Sequence, residues 1–314
     1  MQNFSSKFLH LLRVNAILLS GMLLMLPSVR AAEALPVVAS FSILGDLVSR
    51  VGGERVQVSS LVGPGSDAHV YQPTPADAKR LAQARLVVVN GLGFEGWINR
   101  LIKSSGYKGS VVVASKGSQL LDRQPAKGGT HGKHHHHGDR DPHAWQDVRN
   151  AMQYVETIAQ ALAEVDPEGK PHYTENARRY QDELAALDGE IKAKFQALAP
   201  ERRSVVTPHD AFAYFARAYG VRFVAPRGVS NESEPSAADV ARVIQLVKKE
   251  NIPAVFMENI SDARLIERIR KESGARIGGT LYSDSLTGND GPAQSYVVMM
   301  RHNAETLLAA LRPQ

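Results

Sequence analysis

The sequence predicts an α/β protein of two Rossmann-like lobes, each a mainly parallel sheet flanked by helices, joined by one long rigid backbone helix. The short, continuous apolar run LVVVN (86–90) reads as a strand buried on both faces, the habit of parallel sheets, and SVVVA (110–114) as another strand. They alternate with segments of helical apolar spacing, and the alternation occurs in two blocks. Between the blocks lies a stretch at 172–198 rich in Ala, Glu, Arg and Lys. As one helix at ~1.5 Å per residue it would reach roughly 40 Å, the width of a lobe, and would act as a strut.

Taken in order, residues 1–34 read as a secretory signal. Lys7 and Arg13 make a basic start, residues 16–26 are an apolar run, and small residues allow cleavage after Ala31 or Ala34. The run is too short to span a bilayer, which needs about 20 apolar residues. Export to a periplasm is expected. The first lobe, 35–168, opens with a strand at 35–42, a helix at 43–51 and an alternating strand at 55–62. A turn-rich loop at 63–69 follows, and Thr74-Pro75 supplies an N-cap and first-turn proline for a helix to Ala84. A helix over 91–104 is expected between the two apolar strands. After a His-rich loop at 128–140, residues 146–165 carry apolar residues at helical spacing.

The linking helix belongs to 169–199, with His172 at its solvated start, and the second lobe to 200–314. Strands are expected at 203–206, 222–225, 253–257 and 276–282. Helices are expected at 211–219, 237–250, 262–272 and 295–311, with Ser236 and Asp239 marking one start and His302 lying on the last. The two blocks share a βα rhythm without a visible sequence repeat.

Composition narrows the function. The chain has 314 residues, 43% hydrophobic and 22% charged, an ordinary globular balance with room for two domains. Its formal charge of +5 includes Lys7, Arg13 and Arg30; without those three it is +2, too small to suggest a nucleic-acid partner. There is no cysteine, which excludes thiolate metal sites, catalytic thiols, disulfides and a lipid-bearing cysteine within this sequence.

Six of the eleven histidines fall within THGKHHHHGDRDPHAWQD (130–147). His131, His134, His135, His136 and His137 stand among Gly, Lys and Asp with no apolar periodicity, as in a solvated loop. Such a tract suits weak, multivalent metal collection, or is a polar or engineered run. His143 differs, because buried structure resumes at Ala144-Trp145. His69, His209 and Asp284 each follow a predicted strand in a loop with Gly, Pro or Ser, at the sheet edge where open α/β proteins bind ligands. Three imidazoles and a carboxylate suit Zn²⁺. Each residue alone also has an ordinary surface or capping explanation.

Four pieces carry a resemblance: SDAHVYQPTP (66–75), DPHAWQD (141–147), TPHDAFAYF (207–215) and GGTLYSDS (278–285), with NGLGFEGW (90–97) fitting as well. Together they resemble the zinc/manganese solute-binding proteins of bacterial ABC importers, the cluster A-I family, and look most like the AztC type. The resemblance runs through residues 35–314. It implies one metal ion between two lobes, held by His69, His143, His209 and Asp284. It also implies a monomer that passes metal to an ABC transporter permease in the inner membrane, with a periplasmic metallochaperone as a further partner. Nitrogen at three positions of four favours Zn²⁺ over Mn²⁺, with manganese as the alternative cargo. A secreted zinc hydrolase is the competing class, with Glu232, Glu234 or Glu258 as its base. Four protein ligands would leave no position for water, and no HExxH helix is present.

Overall fold

The apolar run Leu86–Val89 is buried throughout, whereas Ser110–Val113, at a sheet edge, leaves Val111 and Val113 exposed, and the strands pair in parallel. The computed structural model describes residues 33–123 and 140–312. The first sheet comprises β1 (Leu35–Phe41), β2 (Val56–Val62), β3 (Leu86–Val89) and β4 (Ser110–Val113), in the order β2-β1-β3-β4. The second comprises β5 (Ser204–Val206), β6 (Arg222–Val224), β7 (Ala254–Glu258) and β8 (Arg276–Leu281), in the order β6-β5-β7-β8. All six pairings are parallel. The two sheets therefore share one topology, which the sequence displays only as a common rhythm. In each, strand order reverses between the first and third strands, and such a reversal opens a crevice at the carboxyl ends.

The helices are α1 (Ser42–Gly52), α2 (Pro75–Gln83) and α3 (Ile98–Ser105) in the first half, then α4 (Val148–Val165) and α5 (Lys170–Gln196). The second half adds α6 (Ala213–Tyr219), α7 (Ala237–Glu250), α8 (Ala263–Ser273) and α9 (Tyr296–Leu311). Their starts follow the capping chemistry expected of them. At α2 the Asp77 amide donates to Thr74 Oγ1 and the Thr74 amide donates to Asp77 Oδ2, a reciprocal cap. At α7 the Asp239 amide donates to Ser236 Oγ.

The 27-residue α5 buries Tyr173, Ala177, Tyr180, Leu184, Leu187, Ile191 and Phe195, a three-and-four spacing that makes one stripe. That stripe packs on α1 and α4 of the first half and on α6 and α9 of the second, so α5 braces both sheets as a strut. One apolar core runs through both halves, joining Val87, Trp145, Phe195, Phe215, Phe256 and Tyr296. A smaller cluster lies under α7 and α8, where Val240, Val243, Ile266 and Ile269 meet Val206 and Val255. From Ala34 onward the chain forms one compact unit.

One predicted element is corrected. The helix expected over 91–104 begins only at Ile98. Gly91, Leu92 and Gly93 have φ of 83°, 59° and 78°, which a right-handed helix cannot accommodate. The Glu95 carboxylate closes the turn by accepting from the Asn90 amide at 2.6 Å and the Gly91 amide at 3.2 Å. Other boundaries move by a residue or two, as at α6, which starts at Ala213. The expected signal lies outside the described residues except for positions 33 and 34, and the His-rich loop except for Arg140. Among the described residues no helix is long and apolar enough to cross a membrane.

Candidate metal centre

Each candidate side chain is fixed by the backbone around it. His69 lies beyond β2, where Asp67 Oδ1 accepts from the His69 amide at 2.8 Å and Trp97 Nε1 donates to the Ala68 carbonyl at 2.8 Å. Its ring meets Phe94 edge-on, with centroids 4.5 Å apart. His143 sits in a similar turn, with Asp141 Oδ1 accepting from its amide at 2.9 Å and lying 2.8 Å from its Nδ1. Asn90 Nδ2 donates to the Pro142 carbonyl and Tyr214 Oη to the Asp141 carbonyl, holding that turn from both halves. His209 follows β5; Thr207 Oγ1 donates to its carbonyl at 3.1 Å.

Asp284 follows β8 in a loop stitched to the first half. The Ser283 carbonyl accepts from Trp145 Nε1 at 3.0 Å and Gln146 Nε2 at 2.7 Å. The Leu286 amide donates to Ser42 Oγ at 3.0 Å, across 244 positions of sequence. Together with the continuous core, these bonds favour small loop adjustments over a wide hinge.

The structure brings His69, His143, His209 and Asp284 together, with one donor atom from each lying within 4.8 Å of all the others. His69 Nε2 is 3.3 Å from His143 Nε2 and 3.3 Å from Asp284 Oδ2. His209 Nε2 is 3.2 Å from Asp284 Oδ2, and His143 Nε2 is 3.6 Å from Asp284 Oδ1. His209 Nε2 and both Asp284 oxygens are buried and find no hydrogen-bond partner among the described residues, despite this proximity. His69 and His143 share the one hydrogen bond among the four donors, so the unpartnered His209 nitrogen and Asp284 oxygens are left aimed at a common centre. A tetrahedral Zn²⁺ with ~2.0–2.1 Å bonds has donors about 3.3 Å apart, so the residues present fit such an ion.

The charges of the cluster interlock. Burial alone would lower the His143 pKa, but the Asp284 and Asp141 carboxylates outweigh it and push it up to about 9. His209 is likewise raised well above its ordinary value, against burial, by Glu258 and Asp284. Burial would raise Asp284, yet the facing imidazoliums of His143 and His209 hold it well below the usual carboxylate range. Without an ion, protons on two imidazoles balance the buried carboxylates; a divalent cation would replace them charge for charge.

Two further residues complete the cluster. His209 Nδ1 lies 2.5 Å from Glu258 Oε2, a charge contact rather than a well-aligned hydrogen bond. Asp141 plays the matching part behind His143, a role the sequence reading did not give it. The signal was present in the shared Asp-x-His spacing of Asp67/His69 and Asp141/His143, where a carboxylate two residues ahead caps the histidine's amide. The conceivable hydrolytic bases are placed otherwise. Glu258 sits behind an imidazole, and Glu234 pairs with Arg227. Glu232 lines a surface cavity beside His69. His131, His134, His135, His136 and His137 lie outside the described residues. His172 is exposed, and His302 Nε2 meets the Thr280 carbonyl, so neither belongs to the cluster.

Two parallel-sheet lobes enclosing a buried His₃Asp cluster the size of one ion describe a two-lobed substrate-binding protein. Comparison with known proteins gives the family. The family model described as ZnuA, "Zinc-uptake complex component A periplasmic", matches residues 37–310, and the chain belongs to this family. It is 34% identical over 279 residues to the manganese-binding lipoprotein MntA of Halalkalibacterium halodurans, covering 89% of each chain. It is 32% identical over 276 residues to the iron-binding protein YfeA of Yersinia pestis, covering 88% of this chain and 86% of that one. Among solved structures, the periplasmic zinc binding protein TroA of Treponema pallidum superposes with a TM-score of 0.80 at 30% identity, covering 90% of this chain and all of the other.

Proposed function

We propose that this chain is a periplasmic zinc-binding protein that captures Zn²⁺ between its lobes and delivers it to the permease of an ABC importer in the inner membrane. The observation that carries the reading is the convergence of four buried donors within 4.8 Å of one another, with an Asp284 oxygen 3.2–3.6 Å from the Nε2 of each of His69, His143 and His209. That spacing suits the short bonds of a tetrahedral nitrogen-rich zinc site. Three imidazoles also favour the later first-row ions. The fourth position is filled by Asp284, which supports a carrier over a hydrolase.

Manganese is the second reading, favoured by one feature. Asp284 Oδ2 faces His69 and His209 while Oδ1 faces His143, so both oxygens turn inward and offer a five-donor sphere. The names of the relatives, which span manganese, iron and zinc, leave both ions in play. The zinc reading also carries the AztC-type assignment, with export as a monomer behind a cleaved signal. The histidines at 131 and 134–137 collect metal weakly in addition to the tight site, and a periplasmic metallochaperone serves as donor.

Elemental analysis of the protein taken from its own periplasm, paired with competitive zinc–manganese titration, tests this. Zinc at one ion per chain is expected. Manganese in its place would overturn the zinc assignment, and a native protein that binds neither ion would overturn the carrier.

A further inference from the structure

The four donors are not equivalent. His143, His209 and Asp284 are 0% exposed, whereas His69 is 7% exposed. His143 and His209 each have a carboxylate against Nδ1; His69 Nδ1 has no such partner among the described residues. His69 is also the one donor residue that lines a cavity of about 350 Å³ open to solvent, walled by Tyr71, Trp97, Arg100 and Glu232. Val70, next in the chain, is 47% exposed at the same mouth. The Arg100 side chain forms no ion pair or hydrogen bond among the described residues, and none links it to Glu232 across the cavity.

We infer that this cavity is the port through which metal is exchanged, that His69 is the donor released first, and that the incoming group is a partner's carboxylate-bearing ligand met by Arg100. The inference rests on the metal-carrier reading above. An ion sealed among three fully buried donors cannot leave toward them; it can leave toward the one imidazole that borders the open cavity. Glu232 draws the cation to this mouth, while Arg100 draws the anionic group that carries it, and that group can take the coordination position that His69 gives up. The ion is then never without ligands: one metal–nitrogen bond breaks as one metal–oxygen bond forms, and no charge is left bare.

Cobalt(II) in the full-length protein, followed by its visible absorption, provides the test. Extraction by nitrilotriacetate, an anionic chelator, should rise in proportion to its concentration. Arg100→Glu should slow that extraction about five- to tenfold while leaving extraction by terpyridine, which is uncharged, within about twofold. In parallel, free imidazole should restore the cobalt spectrum of His69→Gly, because the port admits it, and should fail to restore that of His209→Gly. Rates independent of chelator concentration would overturn the inference, as would equal slowing of both chelators by Arg100→Glu. So would rescue of His209→Gly, or no rescue of a folded His69→Gly. Should His69→Gly not fold, the chelator arm still decides. None of these outcomes resembles failure of the carrier reading, in which the native protein would take up no metal at all.

Discussion

His209 Nδ1 and Glu258 Oε2 stand 2.5 Å apart with both side chains fully buried, Glu258 ending β7 and His209 following the adjacent β5. Ser283 Oγ donates to the same Glu258 oxygen at 3.2 Å, so this carboxylate links the loops that carry His209 and Asp284. A carboxylate behind a metal-binding imidazole fixes the tautomer and makes the facing nitrogen a stronger donor. Glu258→Gln keeps the shape and removes the charge. Zinc affinity by competitive titration should fall roughly 10–100-fold, and Asp141→Asn should act alike through His143. Affinity within twofold of the native protein in both variants would show that the carboxylates do not act on the ion.

Proton balance gives a second expectation. His143 has a folded value of about 9 against an ordinary 6.5, and His209 is raised in the same direction. A raised histidine stabilises the fold fully below its unfolded pKa, and that contribution disappears as pH climbs through the folded value. The metal-free protein should therefore lose thermal stability between about pH 6.5 and pH 9, while the zinc-loaded form stays level there. Over the same window zinc affinity should rise, with proton release on binding diminishing towards pH 9. Calorimetry in buffers of different ionisation enthalpy reads that release directly, and a constant proton count from pH 6.5 to 9.5 would contradict it.

A third expectation concerns the stitching between lobes. Ser42 Oγ accepts from the buried Leu286 amide two residues beyond Asp284. Ser42→Ala leaves that donor unsatisfied at a cost of about 1–3 kcal/mol. Denaturant unfolding should show the loss, and zinc should dissociate faster because the Asp284 loop has lost a tether. Unchanged stability together with an unchanged off-rate would mean that the loop's other bonds, from Trp145, Gln146, Gly65 and Asn259, hold it without Ser42.

Much of this was legible in the residues. The parallel sheets were readable from runs such as LVVVN, because burial on both faces removes the polar alternation that would mark an exposed strand. The starts of α2 and α7 were readable from Thr74 and Ser236, because capping is local chemistry. The segment 91–97 was misread because a helix pattern is also satisfied by apolar residues in a turn, and Glu95 closes that turn by bonds that spacing does not reveal. Asp141 stayed hidden, and Glu258 was legible only as a conceivable base, for a related reason. Glu258 reaches His209 from a neighbouring strand, and Asp141 shows its amide-capping role in sequence but not its contact with Nδ1.

Asp284 supplies the last expectation. It is the one anionic donor in the cluster, faces all three imidazoles, and holds the protons on His143 and His209 when no metal is bound. Asp284→Ala should therefore cost a carrier more than the roughly 10–100-fold expected from losing a supporting carboxylate. Manganese binding should suffer more than zinc, because three imidazoles still suit zinc and leave the harder ion without an oxygen donor from the protein. A hydrolase whose fourth position belongs to water would instead keep its zinc, so retention of near-native affinity in competitive titration would count against transport. The same substitution removes the charge that raises His143 and His209, so the alkaline loss of stability in the metal-free protein should flatten. Both readouts come from one variant, and they separate a direct donor from a residue that merely stabilises the loop.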